Sequence, residues 1–305
     1  MDVVEFAGWP SCVRLTDGAV ELIVTTAVGP RIISARRLDA ESLLWVDAAT
    51  AGQRGGVEWR AYGGHRLWLA PESLERTYVP DNKAVEHAWD GETFRVWSTA
   101  PGTGITKTFE IGGGGQAGTV RVRHRIANGG SGSIEIAPWA LTVLAEGGRA
   151  IVPQEPFKPH PDVLVPARPL VLWHYTDMSD PRFTWGRRYL QVSQVPGAST
   201  KAKVGVYNHQ GWAAYVRGDS LLIKRYLTDP AGTYADLGCN TELFTNEAML
   251  ELETLGPLVR LEPGDETVHD EHWSIARAAI GATDDEIDRD LLPVLRALPP
   301  MERAR

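Results

Sequence analysis

TELFTNEAMLELETLGP, residues 241–257, carries aliphatic and acidic side chains at a two-residue period that a β-strand sorts onto separate faces. Over 248–255, Ala248, Leu250, Leu252 and Thr254 point one way, and Met249, Glu251, Glu253 and Leu255 the other. The aliphatic side faces a core. With Asn246 and Glu247 as a two-residue hairpin loop, Glu242 lies directly opposite Glu251, with Glu253 next along. Like charges paired in this way repel. A shared proton, a neighbouring Lys or Arg, or a ligand hydroxyl would relieve the repulsion, and each would shift a carboxylate pKa. Such a face suits acid/base chemistry or sugar binding, although a merely solvated sheet face shows the same alternation.

The same period recurs along the chain, in AVELIVTT (19–26), TFRVWST (93–99), TVRVRHRIA (119–127), SIEIAPWAL (133–141), AKVGVYN (202–208) and SLLIKRYL (220–227). Turn signals separate these strands, among them Asn128 to Gly132, Gly112 to Gly115 and Arg217-Gly218-Asp219. The pattern predicts meandering antiparallel strands. No Gly-rich loop follows a strand and opens a helix, so a nucleotide-binding fold has no sequence support. One helix is expected near the C-terminus, where Thr283-Asp284-Asp285-Glu286 has capping-box spacing and Pro293 should end or kink it. The expected organisation is one all-β domain over 1–280, with a helical tail at 281–305 packed outside it. The Pro-rich stretch 150–188 is an excursion over a sheet edge or a boundary, and long structured loops often border sites.

Composition narrows the function. Of 305 residues, 43% are apolar and 23% charged, as in a globular protein with ample core material. A net charge of −8 opposes a generic nucleic-acid surface, which needs a basic field. Cys12 and Cys239 are too few for a disulfide framework or a thiolate zinc site. His269 and His272 are three apart in a strand-like segment and should face opposite ways, so no metal is expected there. MDVVEFAGWP shows no basic, then apolar, leader, and no apolar run reaches about 18 residues. The expectation is a cytoplasmic protein, monomer or homodimer, with a small-molecule ligand, no cofactor, and neither nucleic-acid nor membrane partners.

YGGHRLWLAPE, residues 62–72, is the second informative stretch. Gly63 and Gly64 permit close backbone approach, His65 can exchange protons near neutral pH, Arg66 can grip oxygens, and Trp68 offers a stacking face. Glu72 closes the segment. The alternative is structural, with Trp68 in a core, Arg66 paired to Glu72 and His65 bonded to a backbone carbonyl. Eleven tryptophans are more than a core of this size needs, so some could stack on sugars while most fill space.

Together GPRI (29–32), YGGHRLWLAPE, APWAL (137–141), IKRY (223–226), TYADLGCNTELFTN (233–246) and ELETLGPLVRLEPGDETVHDEHW (251–273) resemble a bacterial branch of the galactose mutarotase-like, or aldose 1-epimerase-like, superfamily. The likeness runs in order from about residue 10 to 276. It implies an antiparallel β-supersandwich whose large curved sheet presents a carbohydrate-binding face. It also implies that Glu253, in Leu252-Glu253-Thr254, is the general base on the anomeric hydroxyl, and that Arg31 binds substrate. The superfamily's histidine acid has no counterpart in Ala137-Pro138-Trp139-Ala140-Leu141, so His65 is the provisional acid. Arg66, Trp68, Glu72, Trp139 and Lys224 are the expected substrate-binding residues, with Glu242 and Glu251 as second candidates for the base. An epimerase of mutarotase type is the leading expectation. A non-catalytic sugar-binding or regulatory module, and a different proton transfer or elimination on the same fold, are the alternatives.

Overall fold

A computed structural model describes residues 1–301, and the last four residues of the expected tail, 302–305, lie outside the described residues. Each alternating segment forms a strand, among them Val20–Thr25, Thr93–Thr99, Thr119–Asn128, Ile134–Leu144, Ala202–Val206 and Ser220–Tyr226. All paired strands are antiparallel. They build an 11-stranded and a 10-stranded sheet, packed face to face over one large aliphatic core. The fold is thus the all-β sandwich expected.

The centre of the larger sheet runs in the order His65–Ala70, Ile134–Leu144, Leu250–Leu255, Thr241–Thr245, Ala202–Val206. Alternation sorts these five strands. Leu67, Leu69, Leu144, Leu250, Leu252, Val204 and Val206 enter the inter-sheet core. Arg66, Trp68, Trp139, Leu141, Glu251, Phe244 and Lys203 lie on the outer face and line one groove. The sandwich therefore buries the aliphatic side of Leu250–Leu255 and turns its acidic side toward the groove.

One local expectation is corrected. The hairpin at 241–255 has four loop residues, 246–249, with Thr245 paired to Leu250, so Glu242 faces Glu253 rather than Glu251. The Asn246 side chain accepts from the Ala248 and Met249 amides, which makes Asn246 the start of the turn and not its middle. A shift of two residues conserves the face, and the three glutamates stay on one side.

At the C-terminus, Thr283 caps the helix Asp284–Asp290 and Glu286 reciprocates. A second short helix, Leu292–Arg296, carries Pro293 in its first turn, where the missing amide costs nothing. Ile287 and Leu291 pack against Ile151, Tyr189, Trp212 and Ile223 on the outer side of the smaller sheet. No helix among the described residues is long and apolar enough to cross a membrane.

Candidate functional site

The groove has a volume of about 500 Å³. Its floor is the outer face of the five central strands, and three loops raise its walls. The 38–64 segment supplies Trp45 and Trp59, the 71–85 segment Glu72 and Tyr78, and the Pro-rich excursion Trp173 and Tyr175. The excursion does border the groove. Gly63 and Gly64 have φ of +92° and +73°, and a Cβ there would sit 2.2 Å from the Trp45 carbonyl oxygen and 2.3 Å from that of Ile32. These glycines let the Trp45 loop lie directly against the sheet.

The floor's charges are fixed in pairs. Arg66 Nη2 donates to Glu251 Oε1 at 2.8 Å, reaching across the intervening strand, while its guanidinium lies 4.3 Å from the Trp68 ring centroid. Lys203 sits between two carboxylates and two indoles. Its Nζ is 3.0 Å from Glu253 Oε2 and 2.8 Å from Glu242 Oε2, and 4.8 Å and 4.6 Å from the rings of Trp139 and Trp173. Trp139 Nε1 donates to the same Glu253 Oε2 at 2.7 Å. Burial alone would push the Lys203 amine down, but Glu242 and Glu253 beside it hold it well above its ordinary range. Burial keeps the Glu242 carboxyl well above the usual carboxylate range, against the pull of Lys203 and with Glu253 and Asp236 adding repulsion. Glu251 is also raised by burial, with Arg66 opposing. One ammonium thus serves two carboxyl groups.

Accessibility divides the acidic trio. Glu251 lines the groove, whereas Glu242 and Glu253 are fully buried beneath Lys203, Trp139 and the neighbouring loops. Glu253 Oε1 has no hydrogen-bond partner. Next to this cluster the turn Ala235–Gly238 holds Asp236 and Leu237 at φ of 50° and 60°, left-handed conformations uncommon outside glycine. Burial raises the Asp236 carboxyl as well.

Three expected site residues lie elsewhere. His65 is adjacent to Arg66 in one strand, so the two side chains must point to opposite faces, and His65 enters the inter-sheet core. Lys224 enters the same core from the other sheet. There Lys224 Nζ donates to Thr142 Oγ1 at 2.7 Å and pairs with Glu271 Oε1 at 2.8 Å. The donors fix every proton. Thr142 spends its hydroxyl hydrogen on His65 Nδ1 at 2.9 Å, so His65 is protonated on Nε2 and donates to His124 Nε2 at 2.6 Å. His124 Nδ1 in turn donates to the His269 carbonyl at 2.9 Å, and His269 Nε2 donates to Thr254 Oγ1 at 2.7 Å. The ligand atoms of His65, His124 and Glu271 lie within 4.8 Å of one another. Every imidazole nitrogen among them is already engaged, so the cluster is a closed hydrogen-bond relay of neutral imidazoles around a Lys224–Glu271 pair. His65 is a structural residue, not an acid facing Glu253.

Arg31 is also structural. Its Nη1 donates to the carbonyls of Ala61 at 3.1 Å and Gly63 at 2.6 Å, and its Nη2 to Asp81 Oδ2 at 2.8 Å, which pins the loop behind the groove. The structure brings together Arg66, Trp68, Trp139 and Glu251 on the groove floor, with Glu72 on the rim bonded to the Tyr78 hydroxyl and Glu242 and Glu253 just beneath. Lys203, Trp173, Trp59 and Tyr175 escaped the sequence reading. The signal for Lys203 was a single cation in the middle of the apolar strand AKVGV.

Two large antiparallel sheets, with a groove on the outer face of the larger one, define a galactose mutarotase-like fold, and solved structures agree. A galactose mutarotase-like protein from Lactobacillus casei ATCC 334 aligns with TM-score 0.55 and 10% identity, over 87% of this chain and 100% of its own. The Slr1438 protein from Synechocystis sp. PCC 6803 gives 0.55 and 14% over 91% and 100%. A TPR-domain containing protein from Parabacteroides distasonis ATCC 8503 gives 0.63 and 13%, over 96% of this chain but 50% of that longer one. No protein-family model and no curated protein matches the sequence.

Proposed function

We infer that this protein binds a monosaccharide-sized, polyhydroxylated ligand in the groove of the larger sheet. One observation carries the reading: five of the eleven tryptophans, Trp45, Trp59, Trp68, Trp139 and Trp173, converge on a single groove whose floor charges, Arg66, Glu251 and Lys203, are held in ion pairs. Indole faces suit the C–H faces of a pyranose. Arg66–Glu251 offers a donor and an acceptor side by side, the combination that a hydroxyl reads in both directions. Fixed pairs also spare the ligand the cost of ordering long side chains.

A second reading, an aldose 1-epimerase-type reaction, is favoured by the partnerless Glu253 Oε1. That reaction needs a base at the anomeric hydroxyl and an acid at the ring oxygen. Lys203 and Trp139 would have to move for Glu253 to meet a sugar. No imidazole lines the groove among the described residues, so the acid would have to be another carboxyl group, and Glu242, which burial raises well above the usual carboxylate range, shares Lys203 with Glu253.

Saturation-transfer NMR against neutral, acidic and phosphorylated aldoses tests the binding reading. At least one sugar should bind, and Trp68→Ala should weaken it about tenfold or more, as for a buried aromatic anchor. No transfer to any aldose, or full affinity in Trp68→Ala, overturns it. In the same samples, faster equilibration of pure anomers, lost in Glu253→Gln, would establish the second reading.

A further inference from the structure

A second cavity, of about 250 Å³, lies outside the groove. It opens between the loop 79–86 and the strands Thr93–Thr99 and Ile105–Gly113, and Trp97, Ser98, Lys107, Asp81, Pro80 and Trp68 border it. Its volume is many times the share of one water molecule, about 30 Å³.

Its polar groups are incomplete in a complementary way. The two buried lysines each clasp carboxylates, Lys203 with Glu242 and Glu253 and Lys224 with Glu271. Lys107 has neither an ion pair nor a side-chain hydrogen bond among the described residues, although it borders the cavity. Asp81 spends Oδ2 on Arg31, while its buried Oδ1 has no partner. Ser98 donates its hydroxyl hydrogen to the Gly29 carbonyl at 3.1 Å, which leaves its oxygen free to accept. Trp97 supplies an aromatic wall. An unpaired donor, an unpaired acceptor and a further acceptor beside an indole are the requirements of adjacent hydroxyl groups, which donate and accept at once. A simple anion would meet Lys107 but would also face Asp81 and Glu86 at the same wall. A simple cation would face Lys107 and Lys83. We propose that this cavity is a second binding site for a small neutral polyol, with Lys107 donating to and Asp81 accepting from its hydroxyls.

The cavity also supplies its own reporter. Burial pushes the Lys107 amine down to about 8, with Asp81 opposing and Arg31 and Arg66 adding to the fall, so about half of it is neutral and nucleophilic at pH 8. The full chain would be pulsed with acetic anhydride at pH 8, with and without glycerol, myo-inositol or D-glucose, and acetylation of each lysine quantified by peptide mass spectrometry. Lys107 should be acetylated in the free protein, and at least one of the three polyols should protect it severalfold while leaving the exposed Lys158 unchanged. The same protection should persist in Trp173→Ala, which damages only the groove. A Lys107 that resists acetylation in the native protein, or that no polyol protects, overturns the proposal. So does protection that disappears in Trp173→Ala, because the effect would then come from the groove. Groove binding is read separately by NMR in Trp173→Ala, since Trp173 lines the groove and not the second cavity, so either site can fail alone.

Discussion

Lys203→Met replaces the ammonium that holds Glu253 and Glu242 together beneath the groove with an apolar chain of similar length. Lys203 is 5% exposed and both carboxylates are fully buried, so water cannot take over the lost contacts. Trp139 Nε1 still donates to Glu253, but one neutral donor does not balance a buried charge. Breaking a buried ion pair from one side costs about 3–5 kcal/mol. With an m-value of about 3 kcal/mol/M, the urea midpoint at pH 8 should fall by about 1 M or more. The deficit has a signed pH dependence. Without Lys203 no cation is left in the cluster to favour charged carboxylates, so the folded variant takes up a proton more readily than the unfolded chain and regains stability as the pH falls from 8 toward 5. Comparing variant and parent at each pH cancels the titrations they share. Adding Glu253→Gln should recover most of the loss at pH 8, because the uncompensated charge is gone. Unfolding curves within about 1 kcal/mol of the parent at both pH values, or an unchanged deficit at pH 5, would refute this account of the cluster.

The inter-sheet relay makes the protein sensitive to acid. His269 is pushed down to about 4 by burial, against an ordinary 6.5, so the unfolded chain alone takes up its proton between those values. Stability should fall as the pH drops from 6.5 to 4, by about 3 kcal/mol for this imidazole alone, and a flat urea midpoint across that interval would contradict the relay of neutral imidazoles. His65→Ala should cost about 3 kcal/mol by orphaning Thr142 and His124, yet leave sugar affinity unchanged, as read by denaturation and NMR on one preparation. Gly64→Ala places a Cβ 2.3 Å from the Ile32 carbonyl oxygen at φ +73°, and calorimetry should show a loss of at least about 2 kcal/mol.

Strand parity made the fold and the acidic face legible, because aliphatic and charged residues alternate wherever one face is buried and the other lines the groove. The hairpin register was harder. Asn246 suits either place in a turn, and shifting the pairing by two residues leaves every side chain on its face, so periodicity has nothing to say about whether Glu242 meets Glu251 or Glu253. Parity also carried information about His65. Arg66 and Trp68 share a face that His65 cannot share, and the same rule separates Lys224 from Arg225. The strand His65–Ala70 is buried on both faces, however, so its sequence does not say which face is the groove. That is decided by its neighbours in space, a strand seventy residues on and another nearly two hundred on. Lys203 belongs to the same class of non-local fact. A lone lysine in an apolar strand announces a buried partner, but only the strand order places Glu242 and Glu253 beside it. The same ion cluster that gives the groove its rigid floor also seals Glu253 away from it. Rigid binding and catalysis by Glu253 therefore make opposite demands on Lys203: the first needs it fixed, the second needs it to swing aside.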